Sequence, residues 1–509
     1  MGIYTTNIGS MLRRAALKYP EQPAFVSHEG EVMTYRDLEM LSNRFANGLV
    51  EMGVKKGDKV ATLCLNCNEQ IVAFFGTFKM GAMLVPVNVR LAAPEIVWIL
   101  DHSDASVMIY TEEFKERVEE MSPRLEKMKI YLPIGKEFET EDIRYSSVLE
   151  KGGAHYPDIE VRGDDDAMIL YTSGTTGRPK GAVHTHNNLL FGVVNMGHSG
   201  AFGYGDRVLQ AFPLYHIAAI ANLLIYIYRA GTVFLKKSFD PRDCMETIER
   251  EGITRWGAAP TVWSMIFQLP DVERYDTSSV KLVGSTGAIM PADMRKKVER
   301  IFPTGQPFDN YGMTEAGGVT SLAPPDSLRK HACVGRPAMW LELRVVDEGM
   351  NDVPVGEVGE VIFRGNSLMK EYYKDPEGTA EAMRGGWMHT GDLGRLDDEG
   401  FLYIVDRKKD MIITGAENVY PREVEEVLYT HPLIVDAAVI GVPDEKWGEA
   451  IKAVVALKNG ITVTEKEIID FCRGKIAGYK CPKSVDFMEE LPKNSTGKIL
   501  KRVLKDRYA

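Results

Sequence analysis

Between Lys59 and Val87 the chain passes through a short strand-like run (Lys59 to Leu65), a longer helix-like run (Glu69 to Lys79) and a second short apolar run (Met83 to Val87). That order reads as a βαβ unit, whose crossover helix obliges the flanking strands to lie parallel in one sheet. Similar strand-like runs return at Val208 to Phe212, Thr232 to Leu235, Ile253 to Gly257 and Lys281 to Val283, which predicts a large, mostly parallel sheet. Upstream, Thr34 with Asp37 makes a capping-box-like start and Gly53 follows Met52 as a stop, so a helix is expected between them.

Around Leu341 to Val346 and Glu360 to Phe363 the character changes to strands alternating with Gly/Pro turns, the pattern of a small antiparallel, barrel-like region. The charged run Asp406 to Asp410 (DRKKD) marks a junction. Beyond it a compact tail is expected: a helix from Pro421, strands near Ala437 to Val442 and Ile451 to Leu457, a helix capped by Thr464 with Glu467, and a last strand near Val485 to Phe487. At 509 residues the chain is too long for one core, and the domain boundary is placed at this junction.

Composition narrows the partners. A formal net charge of −11 argues against nucleic acid, which demands a basic face, so an anionic ligand needs a local basic site. The longest nearly apolar stretch, Ile217 to Tyr228, is shorter than a membrane span and contains Asn222; a buried helix is expected there. The N-terminus shows no secretory pattern, and Gly2 with Thr6 matches only the loose myristoylation pattern, without a polybasic partner signal. Six cysteines are sparse for this length and suit a reducing compartment, hence a cytoplasmic location. Cys64 and Cys67 form a CxxC, but no second pair follows and Cys64 lies in a strand-like run, so two packed thiols are expected rather than a metal or redox site.

The chemistry concentrates in five segments. Tyr171 to Gly181 (YTSGTTGRPKG) follows the apolar run Ala167 to Tyr171 and is dense in glycine, hydroxyls and cations. Glycine lets backbone N–H groups approach an anion, so this reads as a phosphate cradle; the bland alternative is a polar surface turn. The spacing is not that of a Walker loop. Asn310 to Glu315 (NYGMTE) offers an aromatic face, a hydroxyl and a carboxylate, enough for a base, a phosphate and magnesium. Trp387 to Asp392 ends in an Asp after a glycine turn, which suits vicinal ribose hydroxyls, or else a plain Asx turn. The run Asp406 to Pro421 joins cations to a glycine turn, and Pro492 to Lys498 (PKNSTGK) sets a lysine on a Gly/Ser/Thr turn; each alone would be solvated surface.

Together these segments, in order and spacing, resemble the adenylate-forming superfamily of acyl-CoA synthetases, peptide-synthetase adenylation domains and firefly-type luciferases, over nearly the whole chain. The resemblance implies an α/β fold: a large N-terminal domain (1–406) of two αβ-layered subdomains plus a small β-barrel, a hinge (407–410) pivoting at Lys409, and a small mobile α+β C-terminal domain (411–509). It implies ATP, Mg2+ and CoA as cofactors and a carboxylic acid as substrate. On this basis Thr172, Ser173, Gly174, Thr175, Thr176, Gly177 and Lys180 hold the outer phosphates, with Gly287, Ala288, Asn310, Tyr311, Gly312 and Thr314 around the nucleotide. Tyr311 would stack on adenine, Asp392 and Arg407 hold the ribose, and Glu315 with Thr175 bind the metal. Lys498 would contact both the acid and the α-phosphate; with Thr314, Glu315 and His216 it makes the catalytic set. Gly415, Ala416, Glu417 and Lys480 would meet CoA after the C-terminal domain rotates.

For the acid, Phe212 to Asn222 lacks the aspartate that amino-acid-activating relatives use, so a plain carboxylic acid is expected. His216, Ile217, Trp263, Gly284, Gly312, Met313 and Gly317 form the expected acyl pocket. Gly312 stands where acetate-specific relatives carry tryptophan, which implies room for a medium- or long-chain fatty acid; an aryl acid is the nearest competitor. CoA is favoured over a carrier protein because no carrier domain follows Lys498 and Ser327 lacks a carrier-type glycine. A scaffold without activity is disfavoured because Lys498 and Glu315 are both present, a luciferase-like activity shares the motifs, and a homodimer is left open.

Overall fold

The computed structural model describes residues 6–135, 138, 143–172, 179–286, 290, 292–414, 417–444, 447–458, 460–461, 463–473, 475–493 and 498–508, with backbone only at 286, 292, 293 and 417. The strand runs that read as one large sheet divide between two sheets, in keeping with the two αβ-layered subdomains that the family resemblance implies. One has seven strands in the order Glu371–Tyr372, Lys180–Thr185, Asp166–Thr172, Met83–Pro86, Lys59–Leu63, Ala105–Thr111, Ile130–Ile134. The other has nine: Arg336–Pro337, Gly317–Leu322, Gln306–Met313, Leu282–Thr286, Arg255–Ala258, Arg207–Gln210, Thr232–Leu235, Pro23–Val26, Val32–Thr34. The interior strands of both pair in parallel, and the site-bearing edges are antiparallel.

The split has a physical cause. Helices Asn68–Met80 and Ile217–Tyr228 are buried on most of their sides, so a single sheet face cannot cover them. Phe74, Phe75 and Phe78 from the first and Ile220, Leu223 and Leu224 from the second share one core cluster with Val60 and Leu84 of the seven-stranded sheet and Val208 and Val233 of the nine-stranded one. Lys79 is buried in this layer and is held by Glu39 at 2.6 Å, Ser42 at 2.8 Å and Asn43 at 2.7 Å. The predicted helix at Thr34 is Tyr35–Glu51, with both capping-box bonds made by Thr34 and Asp37.

The expected barrel is an open antiparallel sheet, in the order Leu341–Val346, Gly359–Gly365, Met388–Leu396, Leu402–Arg407. Among the described residues no pairing joins its first and last strands, and four strands are too few to curl closed around side chains. The turn Lys408–Asp410 leads from this sheet into another, where Ile412–Thr414, Glu417–Val419, Ile434–Asp444, Gly448–Leu457 and Ser484–Phe487 pair around their own core of Ile412, Val424, Leu428, Val439, Ile451 and Val455. Helix Pro421–Tyr429 begins with the proline in its first turn, and Glu465–Arg473 is capped by Thr464 and Glu467. Cys64 and Cys67 are free, and burial pushes both thiols up, away from the reactive thiolate. Among the described residues no helix is long and apolar enough to cross a membrane.

Candidate functional site

The site forms where the two large sheets, the four-stranded sheet and the C-terminal segment meet. Strand Gln306–Met313 runs parallel from Leu282–Thr286 and then turns back through Gly317, whose φ of +67° a side chain would resist. Tyr311 near its end reaches the neighbouring sheet, where its hydroxyl donates to Asp392 Oδ2 at 2.6 Å. Arg407 Nε approaches the other oxygen, Oδ1, at 2.9 Å. Asp392 and Arg407 are register partners on adjacent strands, so the ladder itself places the guanidinium beside the carboxylate. Thr390 fixes the turn before Asp392 by accepting its backbone N–H at 2.9 Å. Burial first, and the Asp392 charge second, push the Tyr311 phenol far up, so it remains a neutral donor.

Lys498 comes to this same point from the C-terminal segment. Its ammonium lies within electrostatic reach of Arg407, Asp392, Asp410 and Lys409. Although the side chain keeps solvent contact, desolvation on its inner side, followed by repulsion from Arg407, pushes its pKa down to about 8. Lys409 sits in the connecting turn, and its carbonyl accepts Lys505 Nζ at 3.3 Å.

Glu315 is buried, 7% exposed, beside the Tyr311 strand, and Tyr372 donates its hydroxyl to Oε1 at 2.7 Å. Burial pushes this carboxyl up, against the hydrogen bond from Tyr372. Magnesium takes one or two carboxylates and fills its shell with phosphate oxygens and water, so this single carboxylate, linked through Tyr372 to Lys180, fits it. The carbonyl of Thr314 lies 2.8 Å from Nε2 of His184. Burial pushes His184 down to about 4, so the ring is neutral near pH 7, and because a carbonyl only accepts, the Nε2 proton must be the donor.

Strands Asp166–Thr172 and Lys180–Thr185 make an antiparallel pair, with Thr172 opposite Lys180 at the mouth of the Gly/Ser/Thr loop. Ser173, Gly174, Thr175, Thr176 and Gly177 lie outside the described residues, as do Gly287, Ala288, Gly415 and Ala416, and Glu417 is described by backbone alone. Lys180 Nζ is 3.1 Å from Asp375 and 4.9 Å from the centre of the Tyr372 ring. Asn310 accepts a bond from Ser321 at 2.8 Å. Lys480 is paired with Glu423 at 2.6 Å, so it would have to leave that carboxylate to meet a phosphate.

The acyl-pocket expectations fare unevenly. His216 sits just before helix Ile217–Tyr228, against the rings of Tyr215 and Phe212 at 4.5 and 5.2 Å, and burial pushes it down to about 4. Ile217, Ala218 and Ala221, with Asn222 at the margin, leave one largely apolar side of that helix accessible, and Met313 is half-buried. Trp263, in contrast, is core: it is 0% exposed, donates to the Gly284 carbonyl at 3.2 Å and packs on Trp256 and Phe302. A Cβ on Gly284 would stand 1.9 Å from the Phe308 carbonyl oxygen, and one on Gly312 2.0 Å from that of Gly317. The space at Gly312 is therefore filled by the returning strand, not left for a substrate tail. No local signal in the sequence marks Tyr372, Asp375 or His184; each meets the site by a side-chain contact to a residue distant in the chain, Glu315, Lys180 and Thr314 respectively.

Residues 12–373 match the family described as AMP-binding enzyme, and residues 423–498 match the AMP-binding enzyme C-terminal domain. The chain is 38% identical over 513 residues, 99% of each protein, to the long-chain-fatty-acid–CoA ligase FadD13 of Mycobacterium tuberculosis. It is also 38% identical over 505 residues to the feruloyl-CoA synthase of an Amycolatopsis species, covering 98% of this chain and 99% of that one. Among solved structures, ATP-bound MatB from Rhodopseudomonas palustris is 28% identical over 99% of both chains with a TM-score of 0.90, and the apo form of the same protein scores 0.81.

Proposed function

The chain belongs to the AMP-binding enzymes, as an AMP-forming acyl-CoA ligase acting through an acyl-adenylate, and from that premise we propose that it activates a medium- or long-chain fatty acid. The observation that carries the assignment of the site is the convergence on one point of Tyr311 from the nine-stranded sheet, Asp392 and Arg407 from the four-stranded sheet, and Lys498 from the C-terminal segment.

In this reading Asp392 and Arg407 hold the ribose, the Tyr311 ring lies along adenine, and Thr172 with Lys180 opens the phosphate loop. Glu315 would hold magnesium, which neutralises phosphate charge when bound. The acid attacks the α-phosphorus as its carboxylate, pyrophosphate leaves, and no general base is required. Two anions must approach one another, so the Lys498 ammonium between them stabilises the transition state. The CoA sulfur, losing its proton, then attacks the acyl carbon, and AMP leaves.

The placement of Lys498 beside Arg407 supports assigning this domain arrangement to the first half-reaction. The better fit to ATP-bound than to apo MatB agrees with it. Rotation at Lys409, between residues 1–406 and 411–509, would withdraw Lys498 and bring the 415–418 turn and Lys480 to CoA. The accessible apolar side of helix Ile217–Tyr228 and the absence of an acid in Phe212 to Asn222 support a fatty acyl group. The equal identity to feruloyl-CoA synthase favours an aryl acid as the second reading. The sparse, unpaired cysteines suit the cytoplasm.

The test is pyrophosphate release with CoA across acids from acetate to palmitate and benzoate. Preference for C8 to C16 acids with formation of AMP and acyl-CoA supports the proposal; preference for benzoate transfers it to aryl acids.

A further inference from the structure

Two groups assigned above to the nucleotide belong to different sheets, Lys180 on a strand of the seven-stranded sheet and Glu315 in the turn between strands Gln306–Met313 and Gly317–Leu322 of the nine-stranded one. One side chain touches both. Tyr372 is 9% exposed, donates its hydroxyl to Glu315 Oε1 at 2.7 Å, and lies with its ring face 4.9 Å from Lys180 Nζ. The two-residue strand Glu371–Tyr372 pairs with Lys180–Thr185, Tyr372 opposite Ala182, and is held on both sides by Lys370 N–H to the Val183 carbonyl at 2.8 Å and Tyr373 N–H to the Gly181 carbonyl at 2.7 Å. The other side of Glu315 is fixed as well, because its carbonyl accepts Met369 N–H at 2.6 Å. Asp375, whose Oδ1 accepts Gly378 N–H at 2.8 Å, turns its Oδ2 to Lys180 at 3.1 Å.

Nothing in the chemistry of acyl transfer requires a phenol here, and the buried hydroxyl faces a carboxylate whose charge is needed. We propose that Tyr372 is a positioning residue that couples the phosphate lysine to the metal carboxylate. Its hydroxyl holds the Glu315 carboxylate oxygen in place, and its ring supports the Lys180 ammonium. This rests on the nucleotide-site reading given above. Neither contact touches the reacting atoms, so the effect falls on how MgATP is held.

The dissection uses Tyr372→Phe, which keeps the ring and removes the hydroxyl, and Tyr372→Leu, which removes both. ATP affinity is measured by calorimetry without acid, once with excess Mg2+ and once with EDTA. Tyr372→Phe is expected to weaken binding about tenfold with Mg2+, the scale of one hydrogen bond to a charged group, and to leave the EDTA value unchanged. Tyr372→Leu is expected to weaken both. A double-mutant cycle with Glu315→Gln should then show the Tyr372→Phe effect vanish in the Gln background. Equal losses with and without Mg2+, no loss in either, or an undiminished effect in Glu315→Gln would overturn the proposal. If the parent enzyme itself binds no ATP, the nucleotide-site reading fails instead.

Discussion

Asp406, in the last strand of the four-stranded sheet, caps the first helix of the C-terminal segment: its Oδ2 accepts the backbone N–H of Arg422 at 2.9 Å. The Arg422 side chain returns the contact by donating to the Ile404 carbonyl at 3.0 Å. In the proposed rotation this cap breaks, because its two partners lie on opposite sides of the turn Lys408–Asp410.

Asp406→Ala therefore removes a contact that only the first arrangement makes. An N-cap is worth about 1 kcal/mol, so the balance between arrangements should move about fivefold against adenylation. ATP-dependent pyrophosphate release should fall by that factor, while thioester formation from supplied acyl-adenylate should hold or rise. Asp406→Asn keeps one accepting oxygen where the parent uses two, Oδ2 for Arg422 N–H and Oδ1 for Arg407 N–H at 2.7 Å, and should fall between the parent and Asp406→Ala. Equal losses in both half-reactions for Asp406→Ala would sink the idea.

Lys498→Ala should lower adenylation by about 10²–10³, the cost of one preorganised electrostatic donor, and spare the second half-reaction. The lysine pKa, already down to about 8, adds a pH signature. The ammonium is the useful form, so kcat/KM for adenylation should fall as pH rises through about 8, rather than near the ordinary lysine value. Lys498→Arg, which stays charged, should lose that alkaline limb whatever its absolute rate.

Much of the fold was legible because it is local. Helix Ile217–Tyr228 coincides with a run that is apolar but for Asn222, and Pro421–Tyr429 begins at the proline that first-turn geometry favours. The division into two sheets followed only from the family resemblance and not from local pattern, since Pro23–Val26 pairs with Thr232–Leu235, a partner distant in the chain. At the site, the meeting of Asp392 with Arg407 followed from the family motifs, while Tyr372 was invisible because its relation to Glu315 is made by an edge strand far along the chain. Trp263 was misread for a general reason: a tryptophan looks the same in sequence whether it walls a pocket or fills a core.

Lys409→Pro tests the hinge. Proline fixes φ near −65°, which the 3₁₀ turn Lys408–Asp410 accommodates at its middle position, so the arrangement seen here should persist. Acyl-adenylate should accumulate while acyl-CoA formation collapses. Normal turnover of the complete reaction by this variant would place the pivot elsewhere.

Gly312 separates two readings of substrate choice. Sequence alone reads its missing side chain as room for an acyl tail, which predicts that a larger residue shortens the preferred acid. The structure instead puts the Gly317 carbonyl oxygen 2.0 Å from where a Cβ would stand, with Gly317 C at 2.9 Å and Gly318 Cα at 3.0 Å. These are backbone atoms of the paired strand, which cannot rotate aside, so even Gly312→Ala must push the two strands apart. Overpacking of this kind costs about 1–3 kcal/mol. The neighbours that move are Tyr311, bonded to Asp392, and Glu315, bonded to Tyr372, so the damage should reach the nucleotide site. Gly312→Ala should lower thermal stability, weaken ATP binding and reduce kcat/KM by a similar factor for every acid from C2 to C12. Retained activity on acetate with selective loss of long acids would show that the residue faces the acyl group after all.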